Sequence, residues 1–275
     1  MRTKIIFELL LLFLSVAAYA QAGLKITLED YNGAWTIVKS QGKTKELVIP
    51  GTINDKPVTG IGDGAFTGKG LTMVTIPDSV TEIGEGAFSY NELTTLVIGN
   101  SVETIGSKAF FNNKIKDLTI GTAVKSIGMG AFADNELIKV TIPDSVTSIE
   151  PYAFFYNKLT TVTIPGNVTS IGEGAFSSNR LYSVTIGDAV EEIGDGAFFN
   201  NQITSITIPG NVSALGKRVF ESRTTKKSSV PPVDYLDENG DVLFTTASSF
   251  DAYFASTGKK AGKYSFSRDG WTYEE

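Results

Sequence analysis

The sequence predicts a repeat solenoid, mainly β with short helical or 3-10 turns, and three observations predict it. Phenylalanine recurs eight times at an interval of 22 residues, at Phe66, Phe88, Phe110, Phe132, Phe154, Phe176, Phe198 and Phe220. Seven columns stay apolar around it: Leu93, Leu96, Ile98, Val102, Ile105, Ala109 and Phe110 in one unit match Leu159, Val162, Ile164, Val168, Ile171, Ala175 and Phe176 in another. Asparagine keeps the same period at Asn91, Asn113, Asn135, Asn157, Asn179 and Asn201. A unit this short cannot bury its apolar face alone, so it must lean on copies of itself.

Taken in order, the chain divides into five parts. Residues 1–20 read as a cleaved secretory signal: Met1–Lys4 is basic, Ile5–Ala18 is mostly apolar, and Ala18-Tyr19-Ala20 supplies a small-x-small site. Residues 21–45 read as an N-terminal hairpin cap. Leu24, Ile26 and Leu28 alternate, Asn32-Gly33 forms a tight turn, and Trp35 and Ile37 follow, with Trp35 expected as the lid over the first coil. Residues 46–220 form the solenoid, whose first coil is longer than the rest, with the extra piece near Asn54–Lys56 expected as a bulging corner.

Within each coil, Leu-x-x-Leu-x-Ile has the alternation of a short strand, and its fixed interval stacks the strands in parallel. Strands are expected at Leu47–Ile49 and near Thr75, Val97, Thr119, Thr141, Thr163, Thr185 and Thr207. The asparagine is expected inside, its amide bonding the backbone of its own and the next turn, at a loss of about 1–3 kcal/mol if removed. After each strand comes Ile-Pro or Ile-Gly (Pro77, Gly99, Gly121, Pro143, Pro165, Gly187, Pro209). Proline ends pairing there by lacking a donor, and glycine is expected to serve through its wide φ range.

Past Phe220 the composition turns polar, basic and proline-rich, and 221–232 reads as a linker. The basic cluster at this boundary, Lys217, Arg218, Arg223, Lys226 and Lys227, could dock an anionic polymer, although a solvated linker or a contact with the acidic repeats is the plainer reading. Residues 233–275 are expected to form a small α+β module or cap, with a short helix from Ser249 to Ser256 and a hairpin turning at Asp269-Gly270. Asp237–Asp241 (DENGD) lacks the spacing of a calcium loop and reads as a turn.

The unit from Asn157 to Ser177, NKLTTVTIPGNVTSIGEGAFS, resembles the leucine-rich repeats of BspA-like bacterial surface proteins, and the resemblance runs from Leu47 to Phe220. It implies a right-handed leucine-rich-repeat-type coil of about eight units. It also implies a cell-surface or secreted protein that attaches to host matrix proteins or to other cells. Glu150-Pro151-Tyr152 departs from the Gly-x-Gly of other units, and Leu215 and Val219 weaken the last unit, as a terminus requires.

Composition narrows the chemistry. The 275 residues contain neither cysteine nor histidine, so disulfides, thiolate catalysis, a lipid-modified cysteine, Ser-His-Asp triads and histidine metal clusters are excluded. No cofactor or metal is expected. A net charge of −6 disfavours nucleic acid as a partner, and the leader's apolar run is too short to span a membrane.

Two surfaces are candidate binding faces. One outward column is nearly all threonine (Thr75, Thr119, Thr141, Thr163, Thr185, Thr207), and beside it lie Lys139 and Ser183; leucine-rich-repeat curvature would make this the concave face. Threonine is also a good strand former, so the column fits a solvated β-face equally well. The second surface is an aromatic strip. Phe111, Phe155 and Phe199 follow the core Phe in alternate units, with Tyr90 and Tyr156 nearby. Exposed, they mark an interface; buried or half-buried, which large–small alternation favours, they interlock coils.

Three functions fit these residues. The first is an adhesin-like interaction protein that binds extracellular matrix, plasma or cell-surface proteins through its repeat face. The second is a solenoid that binds an ordered surface such as glycan or ice, although Val97, Asp117 and Lys139 break the required regularity. The third is a purely structural envelope protein. A carboxylate-based glycan hydrolase would need a cleft, which units without insertions do not supply.

Overall fold

The computed structural model describes residues 24–220 and, beyond them, the strands Asp234–Leu236, Val242–Thr245, Gly262–Ser267 and Gly270–Glu274. The chain is a β-solenoid of about eight turns built from parallel strands. No helix occurs among the described residues. Where short helical turns were expected, overlapping tight turns stand instead: the Ala87 amide donates to the Gly84 carbonyl and the Ser89 amide to Gly86. The residue in the middle of each such segment, Gly86 at φ 59° or Gly130 at φ 61°, is left-handed, and this stops helical propagation.

Two rows of strands run the length of the stack. One is a continuous sheet that begins with β1 (Lys25–Tyr31), β2 (Ala34–Gln41) and β5 (Lys56–Ile61) and continues through two-residue strands from Glu82–Ile83 to Ala214–Leu215. The other is the threonine row. Here β3 (Glu46–Val48), Met73–Thr75, Thr95–Val97 and Asp117–Thr119 form a four-stranded parallel sheet, and Thr161–Thr163 pairs with Ser183–Thr185. The strand expected near Thr141 does not form: Lys139–Thr141 pairs with neither neighbour. The opposite row keeps the coils in register across this gap, pairing Ser148–Ile149 with Ser126–Ile127 on one side and Ser170–Ile171 on the other.

The interior explains the period. The eight phenylalanines stack face to face, centroids 5.1–5.5 Å apart with interplanar angles of 2–11°. The asparagines form a parallel ladder. In each, Oδ1 accepts from an amide 20 residues earlier, and Nδ2 donates to carbonyls 3 and 25 residues earlier, as Asn157 does with Leu137, Phe154 and Phe132. The ladder thus ties each coil to the preceding one, not to the next.

The corner glycines also serve differently from expectation. Gly99, Gly121 and Gly187 have ordinary φ, but a Cβ there would lie 2.5, 2.0 and 2.3 Å from the carbonyl oxygen of the coil before. Close approach of backbones, rather than torsional freedom, demands glycine.

Both ends of the array are covered. Antiparallel β1 and β2 turn at Asn32-Gly33, both at positive φ, and β2 joins β5 in parallel. Ile37, Leu28 and Leu24 seal the first coil, at 0%, 7% and 7% exposure. Trp35 is not the lid: it is half-buried at the rim, its Nε1 donating to Ile53 O at 2.8 Å and Lys56 Nζ lying 4.8 Å from its ring. The bulging corner is a small hairpin, β4 (Thr52–Ile53) against β5, turning through Asn54 and Asp55 at φ 48° and 61°. At the far end Gly262–Ser267 pairs antiparallel with Ser205–Ile208 and then with Gly270–Glu274. Tyr264, fully buried, packs 5.1 Å from Tyr273 and closes the core. The leader, the linker from 221, Arg223, Lys226, Lys227, the DENGD turn and the helix at Ser249–Ser256 lie outside the described residues.

Candidate interaction surfaces

Alternation sends Val74, Leu96, Val162 and Val184 into the core and leaves their neighbours outside. Thr119, Thr141, Thr163, Thr185, Thr207, Lys139 and Ser183 are all exposed, and Thr75 is half-buried. They do not share one sheet: Thr119 ends the first block, Lys139 and Thr141 sit in the interruption, Thr163, Ser183 and Thr185 form the second block, and Thr207 pairs with the C-terminal hairpin. At the N-terminal end of this row Val48, Met73 and Val97 are 54%, 43% and 40% exposed. Register places Thr75 between Val48 and Val97 on one outward line, and Met73 between Glu46 and Thr95 on the next. Sequence reasoning treated Val97 only as a break in the threonine column; with Met73 and Val48 it is one of three exposed apolar side chains that the register interleaves with Glu46, Thr75 and Thr95.

The interruption is spanned by charge. Glu136 takes Lys158 at 2.9 Å and Lys116 at 3.9 Å. Its hydrogen bond with Lys158 holds its carboxyl below the usual carboxylate range. Asp30 is lowered in the same way, first by its hydrogen bond from Lys56. Both pairs lie at the surface and are part-buried.

The aromatic strip lies along another edge. Phe111, Phe155 and Phe199 are half-buried, whereas Ala133 and Ser177 between them are buried. The tyrosines stand outside them: Tyr90, Tyr152 and Tyr156 are 59%, 38% and 60% exposed. Tyr90 meets Phe111 edge to face at 5.4 Å, Tyr152 meets Phe155 at 5.9 Å, and Tyr156 lies 6.0 Å from the same ring. The Tyr152 hydroxyl donates to Glu173, and that bond pushes the phenol's pKa up. The Arg218 guanidinium lies 4.6 Å over Phe199. An open hollow of about 360 Å3 lies between Tyr152, Glu173, Asp195, Phe199 and Arg218.

Sequence reasoning missed the part played by Tyr152 and the backbone of all three tyrosines. Gly64, Gly86, Gly130, Gly174 and Gly196 occupy one left-handed column, and Lys108, Tyr152 and Arg218 stand in it at φ 54–60°. In a second such column Tyr90, Asn112, Asp134, Tyr156, Ser178 and Asn200 follow Gly68, again at φ 54–64°. For a non-glycine residue this conformation costs about 1–2 kcal/mol, least for Asn and Asp. The signal was available in the sequence, because tyrosine replaces glycine in a column that is otherwise mostly glycine.

A family model described as the BspA-type leucine-rich repeat region matches residues 43–159 and 147–270, with six copies. A leucine-rich cell surface protein of Faecalibacterium prausnitzii A2-165 is similar in structure, with 28% identity and a TM-score of 0.51. That match covers 83% of this chain and 61% of the other, so this chain spans less than two thirds of its relative. A leucine-rich repeat protein of T. pallidum shares the fold at 20% identity and a TM-score of 0.53, over 74% of this chain and 87% of the other. No curated protein matches the sequence. No described helix is long and apolar enough to cross a membrane.

Proposed function

The chain belongs to the BspA-type leucine-rich repeat family, and from that premise we propose that it is an exported, surface-associated interaction protein. It binds an extracellular matrix, plasma or cell-surface protein through the threonine row, by contact and without catalysis. One observation carries the choice of face: Val48, Met73 and Val97 are large apolar side chains exposed on one short parallel sheet, interleaved with Glu46, Thr75 and Thr95. Exposed large apolar side chains set among polar ones on a sheet are what protein interfaces use, and concave or flat solenoid faces are the usual place for them. The relative's description as a cell surface protein supports export, as does the leader at residues 1–20. The lack of histidine and cysteine supports a role without chemistry.

An ordered lattice such as ice would need evenly spaced hydroxyls along the row. The interruption at Lys139–Thr141 removes that regularity, so a protein partner is the better reading. The test is binding of the full chain to a panel of immobilised matrix and plasma proteins, beside a Met73→Glu/Val97→Glu variant. Saturable binding lost in a variant with an unchanged melting temperature supports the reading. Equal binding by both proteins moves the site elsewhere.

A further inference from the structure

We propose that the tyrosine-bearing edge is a second binding site, which takes an extended, uncharged polysaccharide with one sugar ring per coil. It uses none of the threonine row, so it stands whether or not that row binds protein.

The backbone makes the first argument. Tyr90 and Tyr156 sit at φ 57° and 54° in a column that Asn and Gly also occupy, and Tyr152 sits at φ 60° in the glycine column. A bulky side chain at left-handed φ is an outlier, and such outliers concentrate at functional sites. These three rings do not repay the strain through burial, since each is more than a third exposed. Backbone rules disfavour tyrosine there and the packing covers each ring only in part, so the open parts of the rings are available to a ligand.

The rings are also held still. Phe111 braces Tyr90 at an interplanar angle of 83°, and Phe155 braces Tyr152 at 89°. Tyr152 extends over Gly174 of the next coil, where an added Cβ would lie 2.5 Å from Cε1, and its hydroxyl is fixed on Glu173. Fixed aromatic faces lose little entropy when a ligand stacks on them.

Between the rings lie groups that bond hydroxyls. Asn112 donates to Asp134 at 2.7 Å in the two coils between Tyr90 and Tyr156, and Asn200 donates to Ser178 at 3.3 Å beyond them. The strip therefore alternates apolar platforms with amide, carboxylate and hydroxyl. A protein partner would want a continuous apolar centre depleted of charge. A sugar chain wants this alternation, with C–H faces on aromatic rings and hydroxyl edges on polar groups. Cations (Lys108, Arg218) and anions (Asp134, Glu173) are mixed along the edge, which favours an uncharged chain. Coils about 4.8 Å apart match the length of one pyranose in an extended chain, so the ligand and the solenoid keep step.

The test is electrophoresis of the full chain through gels containing soluble β-glucan, xylan, galactomannan or pullulan, followed by calorimetry with oligosaccharides of the polymer that retards it. Affinity should rise with length up to roughly four rings, the span from the Tyr90 coil to the Tyr156 coil at one ring per coil. Tyr90→Asn, Tyr156→Asn and Tyr152→Gly install residues that other coils use at the same places. Each should weaken binding about tenfold, with a melting temperature equal to or above that of the parent. Tyr90→Phe keeps the ring and should keep binding. Retardation by none of the four polymers overturns the proposal, as does retardation that all three substitutions leave unchanged.

Discussion

Phe154 lies between Phe132 and Phe176 at ring distances of 5.4 and 5.2 Å and is fully buried, so its removal opens a cavity in mid-stack. Phe154→Ala should cost about 3–5 kcal/mol in urea unfolding. Asn157→Ala takes the acceptor from the buried Leu137 amide and one of two amide donors from each of the Phe132 and Phe154 carbonyls, which keep Asn135 and Asn179, and should cost about 1–3 kcal/mol. Thr163→Ala removes an exposed hydroxyl and should stay within about 0.5 kcal/mol. An unfolding midpoint for Phe154→Ala equal to that of Thr163→Ala would contradict the stacked interior. Both columns were legible in the sequence because nothing but burial keeps Phe and Asn at one interval. The direction of the asparagine bonds was not, since the amide's reach backward or forward depends on how successive coils are offset.

At the level of elements, the continuous sheet escaped the sequence because strands of two residues are too short to show a period. The threonine row was legible as seven of its eight strands. Its gap at Lys139–Thr141 was not, because Val140-Thr141-Ile142-Pro143 keeps the strand pattern of the other units. The Glu136 bridge to Lys116 and Lys158 spans that gap, and this gives the gap a pH dependence. Because the folded-state pKa of Glu136 is lowered, its contribution is present above the ordinary carboxylate range and is lost as pH falls through it. Amides around residues 138–142 should therefore exchange faster below about pH 4, after correction for intrinsic rates, and Glu136→Gln should remove the dependence. The energy is small, within about 1 kcal/mol, as for ion pairs at the surface generally. Close backbone approach sets a larger cost elsewhere: Gly121→Ala would put Cβ 2.0 Å from the Gly99 oxygen, and its melting temperature should fall well below that of Thr163→Ala.

Across the whole molecule, stability is a sum of coil–coil contacts closed by two hairpins, while the outward columns contribute little to it. That division leaves the surface open to function: the ladders of Phe and Asn hold the coils, and the threonine row and the tyrosine edge vary without disturbing them. It also explains why the fold was easier to read than the site. Interior columns repeat and announce themselves, whereas the residues proposed to bind are departures, as with Val97 among threonines and Tyr152 among glycines. The measurement that tests the central claim most directly is binding of the full chain and of a Thr119→Glu/Thr163→Glu variant to immobilised matrix and plasma proteins. These substitutions are two coils apart, which avoids adjacent like charges on the row. Saturable binding by the parent, lost in a variant that melts within a few degrees of it, is the result expected of an interaction protein that uses its repeat face. Undiminished binding by the variant, or no binding by the parent to any member of the panel, would contradict the account.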